Sequence, residues 1–303
     1  MRDTPSILKA LKLPVRDGYD LATSRKRFPD GGAYRVEIPS VEGPRAMSAV
    51  VDAARERRVT VHRISQGSGI MLQTDAEIAE MVALGRKHRI EVCLFVGPRA
   101  NWDVGAQAAS SAGKVLGSSL RGADQFGYAI EDVLHGARLG VRSVLVADLG
   151  QLQVLGAMKR KGALPADFVL KVSVSLAAPN PATARLLEDL GATSINLPVD
   201  LSLPQIAAIR SAIDAPIDFY VESPDDFGGT VRHYEIPELV RVGAPIYLKF
   251  GLRNHGPLYP SGLHLENTVL ALSRERVRRA AIGLALLKRY APKAVASPLP
   301  RKR

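Results

Sequence analysis

Two lysines lie inside segments that are otherwise apolar. Lys249 is at the centre of IYLKFG (246–251), and Lys171 lies in FVLKVSVS (168–175). A buried lysine is costly unless it is paired or solvated, because desolvation disfavours its charged form. A lysine of lowered pKa in a dry pocket can form a Schiff base with a carbonyl substrate, so this chemistry stays open for both positions.

Two carboxylates occur in similar surroundings, Glu37 in YRVEIP (34–39) and Glu222 in IDFYVES (217–223). Strand alternation puts Glu222 on the same face as Tyr220. If the strand of Lys249 lies between the strands of Glu37 and Glu222, we expect one of these two carboxylates to act as general base. Lys249 and Lys171 would then stabilise developing negative charge. The alternative is a buried ion network that only fixes strand register.

Other polar residues end or follow the apolar segments, and we take them as candidates for substrate binding. Arg63 and Arg253 suit a carboxylate or phosphate. Of His62 and Arg63, only one can point inward from the same strand. The single tryptophan either stacks on a ligand or anchors its loop. The full binding set is Arg63, His62, Asn196, Tyr220, Arg253, His255 and Trp102.

A divalent metal is a further alternative, with Glu37, Asp148, Glu222 and one histidine as candidate ligands, because carboxylate oxygen suits hard cations. No closely spaced motif such as HExxH supports it, and the cofactor stays unknown. Cys93 is the only cysteine, so a disulfide framework or a cysteine-rich metal site cannot form within the chain.

Short apolar strands alternate with amphipathic helices along almost the whole chain. Residues 74–77 form a predicted capping box, Asn180 before Pro181 fits an N-cap, and Ser202 with Gln205 fits a second box. Glycines in RLGVRSVLV, DLGATSINL and RVGAPIYLKF predict left-handed helix ends. The predicted strands are 34–39, 59–65, 91–97, 142–148, 168–175, 193–198, 217–223 and 246–251.

Eight such units predict an α/β fold, a closed (β/α)8 TIM barrel of parallel strands. A doubly wound open sheet is the competing architecture, but no glycine-rich dinucleotide motif follows the first strand. We expect residues 1–32 to be an N-terminal arm, 33–290 a single barrel domain, and 291–303 a basic C-terminal tail. In such a barrel the chemistry gathers at the carboxyl ends of the strands.

Two long connections are predicted at that end. The segment 97–127 is rich in Gly, Ala and Ser and has the character of a mobile lid. Residues 222–235 form a second exposed loop, in which Gly228 and Gly229 could approach an anion through their backbone.

The single cysteine indicates a protein of the reducing cytoplasm. No apolar run reaches the roughly 20 residues of a membrane span, so we expect no membrane partner. The polar residues at the ends of the strands predict a small-molecule substrate. The net charge is +11 and the pI about 9.9. The basic clusters either are solvated surface or hold RNA or another polyanion. A homo-oligomer is also left open.

The segment NPATARLLEDLGATSINLPVDLSLPQIAAIRSAIDAPIDFYVES (180–223) resembles the collagenase-like peptidase family, peptidase family U32. That family also has an Asn-containing helix start, an LG turn, a strand, an LSL..I..I helix and a strand rich in Val and Phe. VEIP and HGARLGV extend the resemblance in outline. Some members of that family are implicated in the hydroxylation of RNA or quinones. The resemblance therefore implies an accessory, RNA-binding role as the alternative function of this chain.

The chain departs from that family just after Glu222. Family members carry a cysteine-rich motif there, and four cysteines in some relatives hold an iron–sulfur cluster, whereas this chain has SPDDFGG. We therefore expect no such cluster, and the peptidase activity does not carry over residue by residue. The residues themselves predict a hydrolase or lyase that acts on a small anionic or carbonyl-bearing substrate.

Overall fold

Eight parallel strands close into a barrel in the order of the sequence. The computed structural model describes residues 4–15, 20–99 and 117–300. The strands are β1 Tyr34–Pro39, β2 Arg63–Ser65, β3 Glu91–Phe95, β4 Ser143–Val146, β5 Val169–Val172, β6 Ser194–Asn196, β7 Ile217–Glu222 and β8 Ile246–Phe250.

Closure is made by β1 and β8, which pair in parallel with Glu37 opposite Lys249. This pairing rules out the open sheet and confirms the predicted (β/α)8 TIM barrel. Each strand is followed by a helix on the outside of the barrel. After a short N-terminal helix, α1 Thr4–Ala10, these are α2 Pro44–Arg57, α3 Asp75–His88, α4 Gly122–Arg138, α5 Leu149–Arg160, α6 Pro181–Asp189, α7 Leu203–Ala212, α8 Ile236–Gly243 and α9 Glu266–Tyr290.

The predicted helix starts are confirmed by their side-chain bonds. Thr74 and Glu77 form a reciprocal capping box before α3. Ser202 and Gln205 do the same before α7. Asn180 accepts the amide of Thr183 and precedes Pro181 at the first position of α6. Each cap satisfies amide groups that the helix itself leaves unpaired.

The glycine predictions hold at two of three helix ends. Gly140 and Gly191 have positive φ values of 96° and 113°, which L side chains rarely adopt. The prediction for Gly243 is wrong, because it is the last residue of α8 and the chain leaves this helix through Ala244 in an extended conformation. The following Pro245 cannot continue a helix, so no left-handed residue is needed to end it.

The apolar core lies between the strands and the helices. Ile38, Ile64, Leu94 and Leu170 point outward from their strands and are completely buried under the helix layer. The alternate positions point into the barrel and are largely polar or charged. This division concentrates the hydrophobic stabilisation outside the sheet and leaves the interior for other side chains.

Segments from both ends of the chain lie against the barrel at the amino ends of the strands. Ala33 donates to the carbonyl of Val295, and the Ser297 amide donates to the carbonyl of Tyr34. Ser297 is buried and its hydroxyl bonds Asp30 and Arg35. The division into residues 1–32, 33–290 and 291–303 stays a prediction.

Within the part of the chain that the structure describes, every helix is too short or too polar to span a lipid bilayer. Residues 100–116, most of the connection that we predicted as a lid, lie outside the described ranges. Trp102 lies there too, so its predicted role in substrate binding stays a prediction.

Candidate functional site

Four charged side chains form an ion network inside the barrel. Lys171 makes a short ion pair with Glu37, and its Nζ lies 3.8 Å from Asp218 Oδ2. Arg63 Nη1 donates to Asp218 Oδ1 at 3.0 Å and to Glu37 Oε2 at 3.4 Å. All four are almost completely buried. Each charge is therefore paired, which is the condition for keeping it in the interior.

Glu37 is the centre of this network. Ser65 Oγ donates to its Oε1 at 2.7 Å, and Lys249 Nζ lies 3.5 Å from the same oxygen. Burial by itself would raise the pKa of Glu37, but the charges of Lys171, Lys249 and Arg63 outweigh burial and hold the pKa well below its usual range. A carboxylate that holds its protons so weakly is a poor general base at neutral pH.

Lys249 lies opposite Glu37 in the pairing of β8 with β1. Its Nζ is 4.0 Å from the centre of the Tyr220 ring, a cation–π contact. When the Asn196 amide nitrogen donates to the carbonyl of Asp218 at 3.1 Å, its oxygen accepts from Lys249 Nζ at 2.8 Å. Lys249 is 2% exposed, and the exposed part of the residue faces a cavity.

This cavity occupies the mouth of the barrel at the carboxyl ends of the strands. Its volume is about 370 Å³, which suits a small molecule. Its polar lining residues include Ser40, Ser65, Gln66, Arg99, Ser173, Ser175, Asn196, Asp226 and Lys249, and its apolar and aromatic lining residues include Phe95, Leu145, Val174, Tyr220, Phe227, Leu258 and Tyr259. Of the predicted site residues, Lys249, Asn196 and Tyr220 meet here.

Sequence reasoning missed Arg99 and Tyr259 as residues of the site. The Arg99 guanidinium lies 3.6 Å above the centre of the Phe95 ring and donates to the carbonyl of Gly67. Burial lowers the pKa of Arg99 to about 10, so it stays a cation at neutral pH. The available signal was its position four residues after Phe95, the last residue of β3, because functional residues gather at the carboxyl ends of the strands.

The connection from β8 to α9 covers one side of the mouth. The Tyr259 hydroxyl bonds Ser40 Oγ at 2.5 Å. A Cβ on Gly67 would come within 2.2 Å of the Tyr259 ring, so this close approach requires glycine. The loops after β1, β2 and β8 are thereby fixed to one another around the cavity.

Glu222 does not join Glu37 and Lys249, although alternation predicted it beside them. The pairing of β7 with β8 shifts register between Tyr220 and Glu222, which turns the Glu222 side chain out of the barrel. There its Oε2 lies 3.3 Å from His233 Nε2 and 3.7 Å from Arg279 Nη1. Lys249 therefore has Tyr220 as its neighbour on β7 rather than Glu222.

Two residues that we predicted to bind substrate lie away from the cavity. Arg63 points inward but is enclosed by Glu91, Asp218 and Glu37, deeper than the cavity floor. His62 precedes β2 at the opposite end, where it accepts from the Val36 amide and bonds the Ser297 carbonyl at 2.8 Å. A side chain pointing inward from a strand start reaches the lower layers of the barrel only.

The remaining predicted residues occupy the rim or cap a helix. Arg253 is half exposed and pairs with Asp225 at 3.2 Å. His255 borders a smaller cavity of about 100 Å³ beside the main one and bonds the carbonyl of Gly256. Asp148 caps α5 by accepting the Gln151 amide at 2.9 Å.

The three carboxylates that we considered as metal ligands are thus separated. Among residues 4–15, 20–99 and 117–300, no three His, Cys, Asp or Glu side chains are grouped as a metal site. An iron–sulfur cluster of the family type does not fit either, because it needs several thiolates. The one cysteine, Cys93, is buried in the barrel interior, and burial raises the pKa of its thiol to about 11.

The family model described as peptidase family U32 matches residues 120–223. The resemblance to peptidase family U32 is confirmed. The matched segment runs from the start of α4 to the end of β7, and it contains Lys171, Asn196 and Tyr220. Glu37 and Lys249 lie outside it. No curated protein matches the chain.

Among solved structures, a U32 peptidase aligns with 76% of this chain and 97% of its own at 15% identity and a TM-score of 0.44. A putative lyase/mutase from Burkholderia cenocepacia aligns with 87% of this chain and 86% of its own at 15% identity and a TM-score of 0.47. D-psicose 3-epimerase aligns with 84% of this chain and 99% of its own at 13% identity and a TM-score of 0.47.

Proposed function

We propose that the protein is a barrel enzyme, of the hydrolase or lyase kind, that acts on a small anionic or carbonyl-bearing substrate in the cavity at the carboxyl ends of the strands. The observation that carries this proposal is Lys249, a buried basic residue that lines a cavity of about 370 Å³. A fixed positive charge that is shielded from bulk water stabilises an oxyanion far more than it would in water.

The network below the cavity gives Lys249 its place. Glu37 is a counter-ion of Lys249, and Glu37 is itself held by Lys171 and Arg63. Because these groups are fixed by one another, Lys249 needs little reorganisation when negative charge develops on a substrate. Glu37 is thus a positioning counter-ion in this proposal, and the general base is not assigned to it.

The cavity walls define the rest of the substrate. Phe95, Leu145 and Leu258 offer apolar surface, and Arg99 offers a second cation beside it. A substrate with one oxygen-bearing group toward Lys249, a short apolar or hydroxylated body and an acidic group toward Arg99 would use all of these surfaces.

A thermal-shift screen over small keto, hydroxy and carboxylic acids tests the proposal. We expect at least one compound to raise the melting temperature of the wild type, because binding to the native state stabilises it. Lys249→Met should abolish this shift, whereas Lys161→Met, at an exposed position beyond α5, should leave it unchanged. Equal shifts in the wild type and Lys249→Met would overturn the proposal.

A second candidate function, the binding of RNA or another polyanion, is favoured by a separate observation. In a parallel barrel the carboxyl ends of the helices share one end of the molecule, opposite the cavity. The ends of four successive helices there, with the residues just after them, carry what we call the basic face: Arg55, Arg57, Arg58, Arg86, Lys87, Arg89, Arg138, Arg142, Lys159, Arg160 and Lys161.

Retention of a duplex RNA probe at increasing salt concentration tests this second candidate. Affinity should fall steeply with salt, because phosphate contacts release counterions. Replacement of Arg58, Arg89 and Lys161 by glutamate should weaken binding strongly, while Arg278→Glu on the side of the barrel should not. Binding that is insensitive to these substitutions would exclude the basic face.

A further inference from the structure

The contacts of Lys249 support more than electrostatic binding. We propose that Lys249 forms a covalent imine with the carbonyl carbon of a small aldehyde or ketone in the cavity. This inference rests on the proposed function, since it takes the same cavity as the substrate site. It adds a covalent step that a fixed charge alone does not perform.

The two interior lysines differ in what they face. Lys171 is completely buried, and its nitrogen is held between Glu37 and Asp218. Lys249 instead lines the cavity with Asn196 and Tyr220. Only a lysine that opens on the cavity can reach a carbonyl carbon there, so the choice falls on Lys249.

The nitrogen of Lys249 is oriented without being locked in a tight ion pair. Its contact with Glu37 is 3.5 Å long, its contact with the neutral Asn196 oxygen is shorter at 2.8 Å, and the face of the Tyr220 ring lies 4.0 Å from it. Neutral partners hold the amine in position but release it more readily than a carboxylate at hydrogen-bond distance would.

The step conserves charge beside Glu37. The ammonium first passes one proton to the carbonyl oxygen, and the neutral amine then attacks the carbonyl carbon to form a C–N bond. A second proton from the nitrogen leaves with that oxygen as water, both bonds from carbon to oxygen are broken, and a protonated imine remains. The nitrogen is thus a cation before and after the step, so Glu37 faces a counter-ion in both states.

The walls of the cavity also favour an imine. Phe95, Leu145, Val174, Phe227 and Leu258 form the apolar part of the cavity lining. An imine is hydrolysed by water, and a site that excludes bulk water prolongs its lifetime. The apolar lining therefore suits an intermediate of this kind.

Chemical trapping tests the inference directly. The protein is incubated with pyruvate or glycolaldehyde, reduced with sodium borohydride, digested and analysed by mass spectrometry. Hydride reduction of the imine should leave a stable secondary amine on Lys249, formed at lower carbonyl concentration than any adduct on the exposed Lys161. Adducts that are no more frequent at Lys249 than at Lys161, or that are absent with both probes, would overturn the inference.

A comparison of pyruvate with lactate separates this inference from the proposed function. The two anions have similar size and charge, but only pyruvate has a ketone. The imine is supported if pyruvate raises the melting temperature well beyond the rise that lactate causes, and if this additional rise is lost in both Lys249→Arg and Lys249→Met. Equal stabilisation by both anions without trapping at Lys249 would leave the electrostatic site standing and remove the covalent step.

Discussion

At the scale of single residues, Glu37 is the side chain on which the interior depends most. It touches three cations and one hydroxyl, and it is completely buried. Glu37→Gln removes the negative charge and leaves Lys171, Lys249 and Arg63 facing one another. We expect a loss of about 3–5 kcal/mol in the free energy of unfolding, as for other broken buried pairs.

Denaturant unfolding measures this effect, and Glu275→Gln is the matched control. Glu275 pairs with Arg278 and Arg279 on the surface, so its neutralisation should cost at most about 1 kcal/mol. A similar small cost for Glu37→Gln would contradict the role of Glu37 as the centre of the network.

His62 is expected to make stability depend on pH. Burial lowers the pKa of His62 below its ordinary value, and the Val36 amide occupies its Nδ1. As pH falls below about 6.5, the unfolded chain binds a proton at this position that the native state binds only at lower pH. The contribution of His62 to the free energy of unfolding is therefore complete above about pH 6.5. It is lost as pH falls from there to the lower pKa of His62 in the native state.

Unfolding curves at pH 7.5 and pH 5.5 measure that dependence. His62→Gln cannot titrate, so the difference between its stabilities at the two pH values should be smaller than in the wild type, by up to about 1.4 kcal/mol per pH unit below 6.5. The same difference in both proteins would rule out His62 as a source of the acid sensitivity.

Sequence reasoning at this scale succeeded where a strand is regular. The two lysines that lie in apolar segments, Lys171 and Lys249, are both buried inside the barrel and contact Glu37. Alternation failed at Glu222, because the register shift in β7 reverses the face of a residue and leaves no mark in the local sequence. Arg99 was missed because it lies in a loop, where periodicity gives no direction.

At the scale of elements, two helical glycines make opposite demands. In α5, a Cβ on Gly156 would lie 2.0 Å from the carbonyl oxygen of Leu190 at the end of α6. In α4, Gly127 is exposed, and a Cβ there would meet nothing within 4 Å. Gly156 therefore permits the close approach of two neighbouring helices, whereas Gly127 has no such contact.

The two alanine substitutions form a matched pair. Gly156→Ala should destabilise the protein by roughly 1–3 kcal/mol or more, because α5 must move away from the Leu190 carbonyl group to make room for the added methyl group. Gly127→Ala should stabilise it by about 0.5–1 kcal/mol through helix propensity. Thermal or denaturant unfolding compares them, and equal effects of the two would contradict the packing of α5 against α6.

Helix starts were predictable because their signals are local. A capping box needs only two residues three positions apart, and the boxes at Thr74 and Ser202 formed as expected. The end of α8 was not predictable in this way. A glycine near a helix end commonly adopts a left-handed conformation, but Gly243 is the last helical residue and the chain leaves the helix through Ala244 and Pro245.

At the scale of the whole molecule, the barrel followed from the count and order of strand and helix units, which constrain the topology of a parallel sheet strongly. The arrangement of charge did not follow from the sequence. Basic clusters far apart along the chain, such as those at Arg58 and Lys161, lie at the same end of the barrel because successive helices end there. The cavity at the carboxyl ends of the strands lies at the other end.

The central claim is that a small anionic or carbonyl compound binds in the mouth of the barrel with an oxygen at Lys249. A crystal structure of the protein soaked with a compound from the thermal-shift screen tests it most directly. The account predicts density for the compound in the cavity, bonded or hydrogen-bonded to Lys249 Nζ and next to Asn196 and Tyr220. Density for the compound only on the basic face or another surface, with Lys249 uncontacted, would contradict it.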